Sequence, residues 1–380
     1  MAPPRLHARV AQLVGDELLR SPWFMRLGGV SFLGTLDAHP RSRRSSTRLE
    51  HSLGVAKLGC EAAAALELSE PRARLFVVAC LLHDIGHYPL SHAAEPAFAK
   101  ILGASHHEVG RWIVLGDGPI SPARSLRPQL EALDVDPQQV WAIIDRPADI
   151  DPELRPLAEL LKAPINLDTL EGIHRVARDF RLHRRAPPER IFTWVEGELG
   201  IARNALPAMD QFWLLKDRVY DRVINLPSNI LAEARLCELV AGAIDRAVLD
   251  ELDRFDDSAL RERLGSERLD AVLLDGGDDG EYELWNSVAY GEMVADPSSA
   301  SEGTREPIMV RTRKRYYVDR SVESERAGLR LRDWTRRFRH ERKRGWLVAR
   351  RQDQLSLPLA GLAPDPHSAV AELVSDAPEI

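Results

Sequence analysis

The adjacent residues His83 and Asp84 stand at the end of an apolar stretch of the sequence. The six residues before them, 77–82, read Val-Val-Ala-Cys-Leu-Leu, a pattern typical of a buried helix. Burial of an imidazole and a carboxylate without partners is costly, so both side chains need a compensating interaction. A divalent metal ion would satisfy both, and the pair therefore predicts a metal site.

A metal site needs more than two protein ligands, and two further residues have a comparable setting. His51 begins an apolar helical pattern within residues 47–56, and Asp168 lies on another apolar helix. With His83 and Asp84 they would form a centre of two histidines and two carboxylates. Such a donor set suits one divalent ion with positions left open for water and a phosphate oxygen. The pattern leaves the ion open among Mn, Fe, Mg, Co, Ni and Zn.

These residues also have ordinary structural explanations. His83 and Asp84 could be a hydrogen-bonded core histidine beside a helix-capping carboxylate. Asp168 could pair with Arg175 or Arg178 on its own helix. The apolar surroundings of all the candidate ligands favour the metal site.

Around the candidate ligands, other segments follow in a definite order: 22–27, 32–34, 47–55, 83–92, 106–108, the helix around Asp168, and 213–220. In order and spacing these segments resemble the HD-domain metal-dependent phosphohydrolases. More narrowly, they resemble the deoxynucleotide triphosphohydrolase-like branch of that family. The resemblance extends over roughly residues 20 to 260. It implies a helical core that hydrolyses phosphoesters with a bound metal ion.

The resemblance also implies roles for individual residues. It makes His51, His83, Asp84 and Asp168 the metal ligands, Arg48 and Tyr220 the contacts of the substrate phosphates, and His87, His92, His107 and Asp84 the catalytic group. The guanidinium of Arg48 suits a phosphate, although it could instead pair with Glu50 or Asp84. His87, four residues after His83, would project from the same helix face. Which histidine acts as acid and which as base stays open.

Two of these histidines have alternatives of their own. His92 follows Pro89, which ends or bends a helix, so it could serve only the loop structure. His107 has the same two interpretations, a catalytic role or a purely structural one, with Glu108 as a possible orienting acceptor. We expect His106 to lie at the surface.

The chain departs from the family at the positions that contact the sugar. Phe32 stands where the resemblance implies a glutamine, and Gly172 where it implies a tyrosine. Val176 replaces a sugar-contacting aspartate, and the pair Glu171-Gly172 replaces Asp-Tyr. The phosphate chemistry is thus retained while the sugar contacts are lost. The leading function is (d)NTP triphosphohydrolysis, with an HD-type nuclease or phosphodiesterase, or a catalytically silent nucleotide sensor, as alternatives.

The length of 380 residues suggests two or three domains. We predict a mostly α fold: an HD-domain helical core over 1–265, a small α+β C-terminal module with a basic helix over 266–356, and a flexible tail over 357–380. Helical periodicity dominates as far as Leu264, and short strands are predicted at 282–285, 308–311 and 314–318. No apolar run is long enough to cross a bilayer. With three unpaired cysteines and no signal-peptide core, the chain is expected to be cytoplasmic.

Charge is unevenly distributed in a chain of net charge −7. Residues 326–351 contain eleven Lys or Arg and two acids, interleaved with aromatic residues, and 326–344 are predicted to form a helix. Its central cations are Arg336, Arg337, Arg339, Arg342, Lys343 and Arg344. Such a surface could contact nucleic acid, or it could face an acidic loop or a neighbouring subunit. By the family resemblance, the protein is also expected to be a homo-oligomer.

Overall fold

Helices make up most of the chain that the structure describes, as the sequence predicts. The computed structural model describes residues 7–163, 165–182, 187–188, 190–274, 282–287, 309–313, 322–323 and 344–350. Within these residues the α-helices are α1 (Ala8–Val14), α2 (Asp16–Leu19), α3 (Pro22–Arg26), α4 (Arg48–Ala65), α5 (Glu70–Leu82), α6 (Glu95–Leu102), α7 (His106–Leu115), α8 (Arg127–Ala132), α9 (Pro137–Asp145), α10 (Arg155–Lys162), α11 (Leu167–Asp179), α12 (Leu206–Val219), α13 (Pro227–Ala241), α14 (Asp257–Leu264) and α15 (Ser266–Leu274). None of the described helices is both long and apolar enough to cross a membrane.

The paired helices α4 and α5 form the centre of the helical core. Every residue of α5 from Leu75 to Leu82 is buried, which explains its continuous apolar sequence. Helix α4 begins with a capping box, in which the Thr47 hydroxyl accepts from the Glu50 backbone N–H and the Glu50 carboxylate accepts from the Thr47 backbone N–H. The start of α4 is therefore fixed beside the end of α5, where His83 and Asp84 follow.

Two further helices complete the surroundings of that point. Helix α11 packs on α4 and α12, and its first turn is capped by the side chain of Asn166, which accepts from the Thr169 backbone N–H. Helix α7 packs on α9 and begins with a second capping box, formed by Ser105 and Glu108. Capping thus fixes the starts of the helices that carry Asp168, His106 and His107.

The helical pattern predicted up to Leu264 is interrupted by a β-hairpin. Strands β1 (Phe192–Val195) and β2 (Glu198–Ile201) pair antiparallel through a turn at Glu196 and Gly197. Both turn residues have a positive φ, as a two-residue hairpin turn requires. The prediction of an uninterrupted helical core was therefore wrong here. Each strand has only four residues, too few to outweigh the helical periodicity on either side.

The described part of the C-terminal region contains an antiparallel sheet in the order β3-β5-β4, with β3 at Tyr282–Ser287, β4 at Met309–Arg313 and β5 at Arg344–Arg350. This sheet confirms the α+β appendage and two of its predicted strands. Strands β3 and β5 contact α13, and the buried side chains of Tyr282 and Val348 join the hydrophobic core of the helices. The domain boundary at 265/266 remains a prediction.

The predicted basic helix at 326–344 can be compared with the structure only at its last residue, and there the prediction was wrong. Arg344, expected to end a basic helix, begins β5, because residues 344–350 pair with both neighbouring strands. The other cations of that prediction, Arg336, Arg337, Arg339, Arg342 and Lys343, lie outside the described residues, as do the predicted strand 314–318 and the tail 357–380. Nucleic-acid contact, homo-oligomerisation and a cytoplasmic location remain predictions.

Candidate functional site

The His83-Asp84 pair lies in the turn that follows α5. The helix ends at Leu82, with His83 at its C-cap, and residues 83–86 form turns. Both residues are nevertheless buried, with exposures of 9% for His83 and 7% for Asp84. His87 therefore does not continue the helix, and its predicted position one helical turn above His83 was wrong. The sequence pattern did not reveal where the last helical hydrogen bond falls.

The four predicted metal ligands, the quartet His51, His83, Asp84 and Asp168, lie close together. His51 Nε2 lies 3.1 Å from Asp168 Oδ1 and 3.4 Å from Asp84 Oδ2. His83 Nε2 lies 3.4 Å from Asp84 Oδ2 and 3.7 Å from Asp168 Oδ1. Two ligand atoms held about 2.1 Å from one ion at right angles would be roughly 3 Å apart. The separations therefore suit donors that surround a single cation.

The second nitrogen of each histidine supports the same assignment. His51 Nδ1 donates to Glu171 Oε2 at 2.6 Å, and His83 Nδ1 donates to the Cys80 carbonyl at 2.9 Å. Each Nε2 consequently faces the centre of the quartet, as in metal-bound histidines whose other nitrogen is held by the protein. His83 Nε2 is buried without a hydrogen-bond partner in the described chain. The donor set thus fits a divalent metal ion.

Glu171 is held in place from behind by Arg175. The Arg175 guanidinium donates to both carboxylate oxygens of Glu171, at 2.5 and 3.0 Å, and also to the Glu50 carbonyl. Arg175 therefore serves Glu171 and not Asp168, contrary to the alternative considered from the sequence. Gly54 leaves room for this arrangement, because a Cβ at Gly54 would lie 2.4 Å from Glu171 Oε1.

The imidazoles and carboxylates of the quartet shift one another's pKa values toward the charged forms. Burial lowers the pKa of His83, but the carboxylates of Asp84 and Asp168 outweigh it and raise that pKa to about 9. Burial likewise opposes the charged form of His51, whose pKa is nevertheless raised by its bonds to Asp168 and Glu171. Burial raises the pKa of the two aspartates, but the neighbouring imidazoles outweigh it and leave both values lowered. In the absence of a metal, protons on the histidines compensate the carboxylates.

Arg48 lies in the site but is engaged by the protein. Its guanidinium donates to Asp84 Oδ2 at 2.7 Å, to Ser91 Oγ at 2.8 Å and to the Phe32 carbonyl at 3.1 Å. The pairing with Asp84 matches the alternative considered from the sequence. A guanidinium has five N–H groups, so Arg48 retains capacity for a phosphate oxygen.

Beside the quartet lies a second group, the histidine cluster, defined by His87, His92, His106 and Glu95. Glu95 accepts from His92 Nδ1 at 2.9 Å and from His106 Nδ1. The rings of His87 and His106 stack with centroids 4.2 Å apart. His87 Nε2 lies 3.2 Å from Asp84 Oδ1, so Asp84 faces the quartet with one oxygen and the cluster with the other.

The expectation for the adjacent histidines was partly wrong. His106, expected at the surface, is buried in the histidine cluster. Glu108, expected to orient His107, caps α7 instead. Gly86 permits the close approach of α7 to the turn, because a Cβ there would lie 2.1 Å from the His106 carbonyl oxygen. His107 is half-buried and lines the pocket, and burial lowers its pKa to about 4.

The quartet and the cluster open into one pocket with a volume of about 430 Å³. Arg48, His92, His107, Asp168 and Tyr220 all line it. Tyr220 lies in the single π-helical turn Tyr220–Ile224 that follows α12. The pocket therefore brings together most of the residues predicted from the sequence. Their individual roles remain predictions.

Two loops of the pocket are joined by Asp257, at the start of α14. Its carboxylate accepts from the Ser31 backbone N–H at 2.9 Å and from the Leu90 backbone N–H at 2.7 Å. Leu90 and Ser91 have φ values of 55° and 51°, in the left-handed region that non-glycine residues rarely adopt. Asp257 and the bond from Arg48 to Ser91 stabilise this turn, which directs His92 toward Glu95.

Sequence reasoning missed Glu95 and Lys162, and it did not predict that Glu171 holds His51. Glu95 follows His92 by three residues, and Glu171 follows Asp168 by three, so helical spacing offered a signal for both. Lys162 ends α10 and lines the pocket, and burial lowers its pKa. No pattern in the sequence distinguishes it from a surface lysine.

Comparisons with known proteins show what parts of this chain are similar to. Residues 48–117 match the HD domain. An uncharacterised protein of Mycoplasma pneumoniae, the MG461 homolog, is 27% identical over 236 residues, which are 58% of this chain and 54% of that protein. The metal-dependent phosphohydrolase cns2 of Cordyceps militaris is 40% identical over 103 residues, or 26% of each chain. This chain spans about half the length of the Mycoplasma relative.

A solved structure shows the same fold over a longer part of the chain. A hypothetical protein from Aquifex aeolicus superposes with a TM-score of 0.66 and 17% identity, covering 88% of this chain and 92% of the other. The match to the HD domain includes His51, His83 and Asp84, while Asp168 comes from α11, beyond it. Residues 48–117 of the chain therefore match the HD domain, within a helical fold that the chain shares with the Aquifex protein.

Proposed function

We propose that this protein is a metal-dependent phosphohydrolase that hydrolyses phosphoester bonds of nucleotides, in the manner of a (d)NTP triphosphohydrolase. The observation that carries the proposal is the grouping of His51, His83 and Asp84, with Asp168 close to both histidines, at a pocket flanked by further imidazoles. The name of the Cordyceps relative, a metal-dependent phosphohydrolase, supports the same reaction class. The nucleotide as substrate rests on the sequence resemblance.

The metal ligands would be the four residues of the quartet. Bound there, a divalent ion supplies a Lewis acid for a phosphoryl oxygen and lowers the pKa of a bound water toward neutrality. The Glu171 and Cys80 bonds keep the histidine Nε2 atoms directed at that position. Lys162 and Arg48, on the pocket wall, would neutralise further negative charge on the phosphates.

His92 is suited to protonate the leaving group. Its Nδ1 is bonded to Glu95, so its Nε2 is left to donate to an ester oxygen in the pocket. Burial lowers the pKa of His92, and the bond to Glu95, which holds the ring, opposes that lowering without reversing it. His87, buried beside Asp84, is held neutral because burial and the Arg48 charge lower its pKa. It would position Asp84 and not carry the proton.

The test is metal reconstitution followed by a substrate panel. Protein loaded separately with Mn, Fe, Mg, Co, Ni or Zn is incubated with dNTPs, NTPs, cyclic dinucleotides, single-stranded DNA and RNA, and products are separated by chromatography. We expect release of inorganic triphosphate from nucleotides, abolished in Asp168→Ala. The exposed Asp149 provides a matched control, because Asp149→Asn alters a carboxylate remote from the pocket lining.

The same panel decides between this proposal and its two alternatives. Consumption of oligonucleotides with mononucleotides spared would replace it with a nuclease or phosphodiesterase. Nucleotide binding without turnover under any metal would replace it with a silent sensor.

A further inference from the structure

The Glu95 carboxylate lies between two imidazoles and is bonded to both. One oxygen, Oε2, accepts from His92 Nδ1 at 2.9 Å, and the other, Oε1, accepts from His106 Nδ1. Oε1 also accepts from the His106 backbone N–H at 3.1 Å. Two of these three bonds therefore come from His106, and they leave Oε2 of Glu95 directed at His92.

The bonds from the imidazoles also keep Glu95 negatively charged. Burial opposes the charged form of Glu95, but the bonds from His106 and His92 outweigh it and leave the pKa of Glu95 lowered. The His106 backbone N–H belongs to the first turn of α7, where N–H groups lack partners within the helix and favour a carboxylate. The group that faces His92 is thus a charged acceptor, which an imidazole N–H binds more strongly than a neutral one.

His106 is itself fixed in place. It is the first residue of α7, whose start is held by the capping box of Ser105 and Glu108. Its ring stacks on that of His87, and its side chain is only 10% exposed. The carbonyl oxygen of His106 lies where a Cβ at Gly86 would come within 2.1 Å of it. The packing of α7 against the turn at Gly86 therefore sets the position of His106.

The ring of His92 depends on Glu95 for its direction. His92 lines the pocket, and among the described residues Glu95 is the one hydrogen-bond partner of its ring. A single bond fixes the ring only if the acceptor cannot move, and a glutamate side chain has several rotatable bonds. The bonds from His106 restrict those rotations, so the direction of His92 Nε2 depends on His106.

We propose that His106 is a positioning residue for the proton donor: it fixes Glu95, which in turn holds His92 with Nε2 directed into the pocket. The inference rests on the proposed function, in which His92 protonates the leaving group. His106 acts through Glu95 and His92, and it serves neither as a metal ligand nor as a proton donor of its own.

The experiment is a double-mutant cycle between His92 and His106. The values of kcat, KM and metal content are measured for the original protein, His106→Ala, His92→Ala and the double variant, each metal-loaded and supplied with nucleotide. We expect His106→Ala to lower kcat about tenfold to a hundredfold, with KM and metal content unchanged. In His92→Ala protein the same substitution should change kcat by less than about twofold, because the group through which His106 acts is already absent.

Two further variants separate the His106 side chain from the start of α7. His106→Asn keeps a side-chain N–H near the place of Nδ1, so its kcat should lie within about fivefold of the original value. Ser105→Ala removes the cap of α7 but leaves the His106 ring. It should lower the midpoint of thermal unfolding while kcat stays within about twofold of the original value. Thermal unfolding of every variant verifies that it folds.

Three results would overturn the inference. The first is a fall in kcat of the same factor whether His92 is present or absent, since His106 would then act independently of it. The second is loss of the metal in His106→Ala. The third is a fall in kcat in Ser105→Ala or His106→Asn as large as that in His106→Ala, because the Nδ1–H bond would not be its cause.

Failure of the proposed function is a separate result. If nucleotides are spared and another phosphoester of the panel is hydrolysed, the nucleotide substrate is excluded, and the same cycle measured with that phosphoester still decides the role of His106. If no phosphoester is hydrolysed with any metal, both proposals are excluded, because there is then no proton donor for His106 to position.

Discussion

The quartet and the histidine cluster share one carboxylate, Asp84, yet the pKa values of His83 and His87 on its two sides are shifted in opposite directions. In the quartet, carboxylates raise the pKa of His83 to about 9. Around the cluster, burial lowers the pKa of His107 to about 4 and that of His87 well below its usual value. The difference shows that neighbouring histidines can have opposite pKa shifts, because the carboxylates around His83 outweigh its burial, whereas burial and the Arg48 charge dominate at His87.

The strongest test of the comparison removes the charge that both regions share. Asp84→Asn should abolish metal binding and lower kcat/KM on the order of ten-thousandfold. It also leaves the Arg48 guanidinium buried beside a neutral amide. Metal content by mass spectrometry and triphosphate release are the measurements. Full metal occupancy in this variant would show that the quartet is not the metal centre.

The second test separates the two regions. His92→Ala should retain the metal but lower kcat about a hundredfold to a thousandfold, because the proton donor is lost while the quartet is intact. Stoichiometric metal content with reduced turnover is the expected combination. Loss of the metal together with activity would mean that the cluster takes part in coordination.

The third test concerns the support of the quartet. Glu171→Gln should weaken metal binding about tenfold to a hundredfold, because the amide no longer stabilises the orientation of His51 as a carboxylate does. Calorimetric titration with the metal measures the change. Glu131→Gln, at an exposed carboxylate remote from the pocket lining, is the control and should bind as before. Equal affinities of the two variants would contradict the role given to Glu171.

The smallest expected effect concerns the protonation of His83 and His107 in the metal-free protein. A pH titration followed by nitrogen-detected NMR would measure it. His83 should lose its proton near pH 9, and His107 should stay neutral until the pH falls to about 4. Because the folded pKa of His83 lies above its unfolded value, its contribution to stability is complete below about pH 6.5 and is lost as the pH rises through 9. Metal affinity should rise over the same interval, since the ion displaces that proton. A pKa near 6.5 for both His83 and His107 would show that the two histidines do not differ in their electrostatic surroundings.

The convergence of His51, His83, Asp84 and Asp168 was predictable because each lies in an apolar part of the sequence, where an imidazole or a carboxylate stands out, whereas their role as metal ligands remains a prediction. Asp168 is the instructive case, since it converges with His51 although more than a hundred residues separate them. The fold class followed from helical periodicity and the family resemblance. The short hairpin at 192–201 escaped prediction because four-residue strands carry little periodic signal.

The supporting residues could not be derived in the same way. Whether His106 or His107 faces inward depends on how α7 packs against the turn at Gly86. The sequence of α7 alone does not determine that packing. Likewise, the preference of Arg175 for Glu171 over Asp168 is decided by the position of α4, whose Glu50 carbonyl accepts from the same guanidinium. Such choices depend on contacts between helices far apart in the chain.

Asp257 sets a limit on how small a working fragment can be. The carboxylate lies 140 residues beyond the matched segment 48–117, yet it joins the backbones of Ser31 and Leu90 beside the pocket. A recombinant piece trimmed to the matched segment would retain three of the four predicted ligands but lose the carboxylate that stabilises the turn before His92. Anyone shortening this protein for crystallisation or labelling should cut beyond α14.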